Sequence, residues 1–164
     1  MLNHVIDITY LHQLAHDGKL YVTGDYIPAL NKDSIYYYTI HTADNNKEVH
    51  IRFGINTTAP LIIGFFKTPT ITTPGAVLTK YNRKSGSTDT GNMVFRSAPV
   101  ISNDGTRDNP QEFLIGGNQK AGGNFERSVD WKILEPNAVY LLKFTGTING
   151  TGVSWFLEFY EHGE

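Results

Sequence analysis

The sequence contains no cysteine, which excludes disulfide staples, thiolate metal sites and a cysteine nucleophile and leaves stability to packing alone. Charge of one sign is also scarce. Fourteen Lys and Arg stand against sixteen Asp and Glu, a formal net charge of −2, so there is no field to gather phosphate backbones and nucleic acid is not an expected partner. Long hydrophobic runs are missing as well: the longest, Pro60 to Phe66, falls far short of the roughly 20 residues that span a bilayer. The N-terminal MLNHVIDITYLHQLAHDGK lacks the basic start and unbroken apolar stretch of a secretory signal. The expectation is a chain without membrane contact, made in and retained by the cytoplasm of its host cell.

Aromatic side chains, by contrast, are plentiful. Nine Tyr, nine Phe and two Trp make up 12% of the 164 residues, and large rings of this kind fill a thin core. The length suits one domain. From Ser34 onward, β-branched and aromatic residues recur in short runs separated by Gly, Pro, Asn and Asp, the signature of strands and turns. In Glu48 to Asn56, Val49, Ile51, Phe53 and Ile55 alternate with His50 and Arg52, the period of two of a half-buried strand. Further strands are expected near Tyr21–Val22, Ile35–His41, Leu61–Lys67, Val77–Asn82, Met93–Ala98, Glu112–Ile115, Val139–Thr145 and Val153–Tyr160. The last two flank Asn149-Gly150, a dipeptide suited to a tight hairpin, and Val153, Trp155, Leu157 and Phe159 are expected in the core. Helical spacing is confined to Asp7–His16 and stops at Asp17-Gly18. The pattern predicts an all-β, antiparallel, jelly-roll-like sandwich over residues 18–164, preceded by an arm or helical turn over 1–17.

One internal echo stands out: Pro69-Thr70-Ile71-Thr72-Thr73-Pro74-Gly75 resembles Pro99-Val100-Ile101-Ser102-Asn103-Asp104-Gly105. Two edge strands with equivalent turns would produce it, since Pro is confined to edges and bulges; two copies are too few for a repeat architecture. The polar stretches Arg83–Asn92, Ser102–Gln111 and Gly116–Asn124 read as surface loops, where function concentrates.

Motifs that would carry chemistry fail on their own terms. The histidines of HQLAH, His12 and His16, have the i, i+4 spacing of a zinc helix, but Gln13 stands where a metalloprotease needs its general base. His41 and His50 lie in strands and would have to converge inside a barrel to form a cupin-like metal site. Gly116–Gly123 neither opens a helix nor ends in Gly-Lys-Ser/Thr, so it is not a phosphate cradle. Among Glu112, Glu126, Asp130, Glu158 and Glu161 no spacing selects a hydrolytic pair. The sequons Asn56-Thr57-Thr58 and Asn149-Gly150-Thr151 read as turns. No catalytic residue, metal or cofactor is expected.

Seven segments, in order over most of the chain, carry a resemblance: HDGK at His16–Lys19 with Tyr21, EVHIRFGI at Glu48–Ile55, LTKYNRKS at Leu78–Ser85, APVISNDGT at Ala98–Thr106, Gly122-Gly123 with Arg127, DWKILEPNAVYLLKF at Asp130–Phe144, and FYEH at Phe159–His162. Together they resemble the capsid decoration, or head-surface, proteins of tailed bacteriophages. The sequence departs from that family in a longer Asn103–Gly117 segment and in the tyrosine-rich Tyr36–Tyr38 strand. The resemblance implies a β-sandwich virion protein that cements the outer capsid surface. Its implied partners are the major capsid protein and copies of itself, a trimer being favoured over a dimer, and its implied place is the virion surface after assembly in the host cytoplasm. The alternative is a receptor- or glycan-binding module of a phage fibre, with Tyr36, Tyr37 and Tyr38 as stacking rings. For partner contact the candidates are the apolar Val5, Ile6, Ile8 and Leu11 of the arm, because apolar groups ahead of the first core strand mark an interface, and Arg83, Lys84 and Arg107 of the polar loops. Arg83, with five donors, also suits an intramolecular carboxylate clamp.

Overall fold

The computed structural model describes residues 10–109, 113–115 and 132–163. A short helix over residues 10–16 ends where Gly18 takes a left-handed φ of +68° and Lys19 N donates to Leu14 O at 2.8 Å, a glycine C-cap. The strands follow: β1 (Tyr21–Leu30), β2 (Ile35–His41), β3 (Glu48–Thr57), β4 (Leu61–Lys67), β5 (Thr70–Thr73), β6 (Ala76–Val77), β7 (Lys80–Asn82), β8 (Val94–Ser97), β9 (Val100–Asn103), β10 (Thr106–Arg107), β11 (Phe113–Ile115), β12 (Lys132–Leu134), β13 (Val139–Gly146) and β14 (Thr151–His162).

Their pairing is that of a ribbon rolled up on itself. β1 pairs with β14, β2 with β13, β3 with β12 and β4 with β11, all antiparallel. Rolling brings β14 against β3 and β13 against β4, which yields the sheets β12-β3-β14-β1 and β11-β4-β13-β2. This is a jelly-roll sandwich, as the sequence predicts. Between the sheets lie Ile51, Leu61, Met93, Phe95, Leu134, Phe144, Leu157 and Phe159, each at most 1% exposed. One expectation fails: β13 and β14 do not form a hairpin. The first belongs to one sheet and the second to the other, so Asn149-Gly150, with Gly150 at φ +76°, turns a corner between sheets. A positive-φ glycine serves either geometry, and only the partners that bury each strand decide between them.

Residues 68–109, after β4, extend both sheets at their far edges: β7 adds to β1, β8 and β6 add to β2. They also resolve the sequence echo. β5 and β9 pair with each other, Thr70 with Asn103, Ile71 with Ile101 and Thr73 with Val100, a register that maps onto itself when either half is shifted by thirty residues. The same shift relates β6 on β8, where Ala76 faces Ser97, to β10 on β4, where Thr106 faces Lys67. Thr68 and Ala98 both have positive φ, and so do Gly75 and Gly105. A Cβ on Gly75 would lie 2.2 Å from Ser97 O and one on Gly105 2.3 Å from Lys67 O, so each glycine is required by the other half's backbone. The chain thus carries a local pseudo-dyad across β13 and β2. On that outer face Leu141, Thr39 and Phe66 are buried although they point away from the sandwich core, and Lys143 Nζ reaches Asp104 Oδ2 of the β9–β10 turn at 2.7 Å.

Candidate functional site

Parts of five of the seven segments that carry the resemblance meet at one end of the sheet containing β14; Ala98–Thr106 lies away from it on β9 and β10, Val139–Phe144 belongs to β13 of the opposite sheet, and Gly122, Gly123 and Arg127 lie outside the described residues. Phe159 pairs with Ile51 on one side and with Tyr21 on the other; Lys132 pairs with Ile51, and Asn82 with Tyr21. Successive strands therefore present a continuous outer face in which Ile133, His50 and Tyr160 form one row and Arg52, Glu158, Val22 and Tyr81 the next.

Glu158 holds the centre of this face. Alternation points its side chain outward, yet it is only 4% exposed, because Arg52 from β3 and Arg83 from the loop after β7 close over its two carboxylate oxygens. Each guanidinium is half exposed, so the carboxylate is desolvated while its partners stay wet. A buried carboxylate of this kind persists only if its charge is met. Arg83 also donates its backbone N to Leu20 O at 2.9 Å.

The adjoining loop over residues 83–92 is tied down by polar contacts. Asp89 accepts from Tyr21 Oη at 2.9 Å, from Lys19 Nζ at 3.3 Å and from Gly91 N at 3.0 Å. The Gly91 bond, the largest influence, holds the Asp89 carboxyl below its ordinary pKa, and burial beside Asp89 pushes the Tyr21 phenol up. Glu161 takes both the backbone and side-chain N–H of Asn92 at 2.6 Å, and Asn82 Nδ2 donates to Gly18 O at 2.9 Å and Asp89 O at 2.8 Å. Rows of aromatic contact continue the face: His50 stacks on Tyr160 at 4.6 Å, and Tyr10 of the helix meets Tyr160 edge-on at 5.8 Å.

Of the partner-contact candidates, Leu11 lies half buried on the short helix whose Tyr10 caps Tyr160, and Arg83 and Lys84 lie at the same end of the sheet. Arg107 does not join them. It sits on β10 at the edge of the opposite sheet, its guanidinium 5.1 Å from the Phe66 ring. Val5, Ile6 and Ile8 lie outside the described residues, as do Gly116–Gly123, Glu112, Glu126 and Asp130. Of the stacking rings expected of Tyr36, Tyr37 and Tyr38, Tyr38 is 1% exposed, while Tyr36 and Tyr37 are half buried on opposite faces of β2, Tyr36 against the core and Tyr37 on the outer face beside Lys143. Among the described residues the exposed rings are Tyr10, Tyr26 and Tyr81.

The described histidines fall in three places, His12 with His16, His41, and His50 with His162. His12 and His16 stack with their Nε2 atoms 2.8 Å apart. His41 and His50 belong to opposite sheets and both point outward, since their neighbours Ile40, Val49 and Ile51 take the core positions. Burial lowers the pKa of each, Arg96 adding to the effect at His41 and His162 at His50. Among the described residues no three His, Cys, Asp or Glu side chains are grouped to hold a metal ion, and no helix is long and apolar enough to cross a membrane. No family model matches the sequence, and no curated protein matches it.

Two functionally suggestive residues escape sequence reasoning. Glu158 reads there as one carboxylate in an alternating strand, and only the arrival of Arg83 from seventy-five residues away marks it out. Asp25 sits on the core-facing side of β1 between buried Thr23 and Ile27; its only sequence signal is a carboxylate in an inward position, visible once the phase of β1 is known.

Proposed function

We propose that this protein decorates and stabilises the outer surface of a tailed-phage capsid by binding assembled coat protein, without a catalytic step. The observation that carries the reading is the convergence just described: parts of five of the segments that resemble the decoration family, Tyr21, Glu48–Ile55, Lys80–Arg83, Lys132–Leu134 and Phe159–His162, assemble into one continuous face and one tethered loop. The jelly roll alone would not carry the reading, since capsid proteins, lectins and cupins share that fold. Rigidity supports it: loops anchored by Asp89 and Glu161 lose little conformational freedom on docking.

The mechanism is multivalent. Each copy contributes a modest contact, and a lattice of coat subunits together with self-association multiplies occupancy. Because such a ligand binds the assembled shell and not free subunits, it shifts the equilibrium toward the shell. The test is addition of the purified protein to empty capsids that lack it. Saturable occupancy and a raised capsid melting temperature are expected, and mass measurement in solution should show an oligomer, a trimer before a dimer. Capsids that stay bare at saturating protein would refute the reading.

A further inference from the structure

The side of the sandwich between β1 and β2 is closed at one end by the chain crossing from β6 to β7, where Thr23 Oγ1 donates to Thr79 O and Leu78 N to Phe95 O, both at 2.8 Å. At the other end the turn after Leu30 closes it, with Ser34 N donating to Asn31 O at 3.1 Å. Between these ends both edges are bare among the described residues from Gly24 on β1 and up to Tyr36 on β2, because β7 pairs with β1 only through Thr23 and the last bond onto β2 from the β8 side is Ala98 N to Tyr37 O at 3.0 Å.

Asp25 and Tyr36 lie within those limits and face inward across this window. Asp25 Oδ1 accepts from Tyr26 N at 2.8 Å and Oδ2 from Tyr38 Oη at 3.1 Å. Tyr36 stacks obliquely on Tyr38 with ring centroids 5.1 Å apart, and Trp155, the register partner of Asp25, meets Tyr38 edge-on at 4.6 Å. The chain neighbours of Asp25 and Tyr36, Tyr26 and Ile35, point to the outer faces of the two sheets and are exposed there. Yet no Lys or Arg among the described residues forms an ion pair with Asp25, in contrast to Glu158 with two. A core-facing carboxylate left with neutral donors attracts a cation, and each of its oxygens retains an acceptor position. Of the two biological cations, a planar guanidinium both forks onto a carboxylate and stacks on an aromatic ring, whereas an ammonium does only one of these at a time.

We propose that Asp25 and Tyr36 form a socket for an arginine side chain presented by the partner protein. The assignment of that partner as coat protein rests on the function proposed above; the socket itself does not. Two measurements separate them. In the first, n-propylguanidinium is titrated into the intact protein while the amide resonance of Tyr26, whose N–H is bound to Asp25, is followed by NMR. A saturable shift in the range of roughly 1–100 mM, the weak end expected of one side-chain contact, is the expected result, with n-propylammonium weaker and Asp25→Asn abolishing it. Tyr36→Leu, which keeps the carboxylate, should weaken binding about tenfold by removing the stacking ring. No saturable shift, or one undiminished in Asp25→Asn, overturns the socket. In the second, wild type and Asp25→Asn are bound to empty capsids. A loss of tenfold or more in affinity is expected of a broken charge-assisted pair; equal binding overturns coat protein as the source of the arginine, and failure of wild type to bind overturns the decoration reading while the titration still judges the socket.

Discussion

Removing Arg52 and Arg83 together should cost far more than removing either, because Glu158 would then be a buried anion without a counter-charge. Its side chain is 6% exposed, against 35% for Arg52 and 44% for Arg83. The carboxylate has thus lost nearly all its water, and the guanidiniums have not. Stripping one partner from a buried pair costs about 3–5 kcal/mol where nothing replaces it. Here the second arginine remains after a single substitution and its half-exposed head is screened by solvent, so Arg52→Ala or Arg83→Ala should each cost about 1 kcal/mol. The double substitution should cost about 3 kcal/mol, at least 1 kcal/mol beyond the sum of the singles. For a chain of this size that is a fall of roughly 6–12 °C in melting temperature. Adding Glu158→Leu to the double should restore most of the loss, since an apolar replacement removes the stranded charge. Urea unfolding followed by intrinsic fluorescence, with unchanged m-values, measures all four variants. A double mutant that costs no more than the two singles combined would refute the argument that desolvation of Glu158 dominates this face.

Other outcomes follow from single features. Gly75→Ala and Gly105→Ala should each destabilise by about 2 kcal/mol or more, since a Cβ at a positive φ would also strike a backbone oxygen, whereas Gly86→Ala, at φ +81° with nothing within 4 Å, should cost only about 1 kcal/mol; thermal melts compare the three. Leu141→Ala should cost about 2–4 kcal/mol, as much as Leu142→Ala, although only Leu142 faces the sandwich core. The pH dependence has a fixed sign. His41 and His50 have pKa values lowered by burial, so the unfolded chain takes up protons before the folded one does, and stability present above the ordinary histidine pKa of about 6.5 is lost as pH falls through and below it. Urea midpoints should decline between about pH 7 and pH 5, and a His41→Gln/His50→Gln variant should flatten that decline.

Branched and aromatic runs bounded by turn residues fix the limits of β2, β3 and β4 to within a residue, with period-two alternation added in β3. The strands that sequence reading misses are those whose existence depends on a neighbour. β12 is three residues held on Val49–Ile51 and β10 two residues on Phe66–Lys67; β5 and β9, which hold one another, are legible only through the echo at Pro69 and Pro99 that suggests two edge strands. Exposed Thr70, Thr73 and Val100 show no alternation to detect. β1 was legible only at its buried start; its second half, through Gly24, Asp25 and Pro28, breaks every strand preference and is held by the register with β14.

The same dependence on neighbours explains why the site was less legible than the fold. Local sequence determines which face a residue occupies, and so Glu158 reads as solvent-facing and Asp25, once β1 is phased, as core-facing. What each carboxylate does is set by whether a cation arrives from elsewhere. At Glu158 two arrive, from β3 and from the loop after β7, and an outward residue becomes a buried anchor of the face. At Asp25 none of the described residues supplies one, because β7 stops pairing at Thr23 and β8 begins at Tyr38, and an inward residue is left facing an open edge. Both strand limits are imposed by the inserted segment over residues 68–109, in which residues 68–77 and 98–107 are related by the pseudo-dyad and the crossing at Leu78–Thr79 sets where each sheet ends. The segment that repeats the turns at Pro69 and Pro99 thus also determines which part of the sandwich's side remains uncovered.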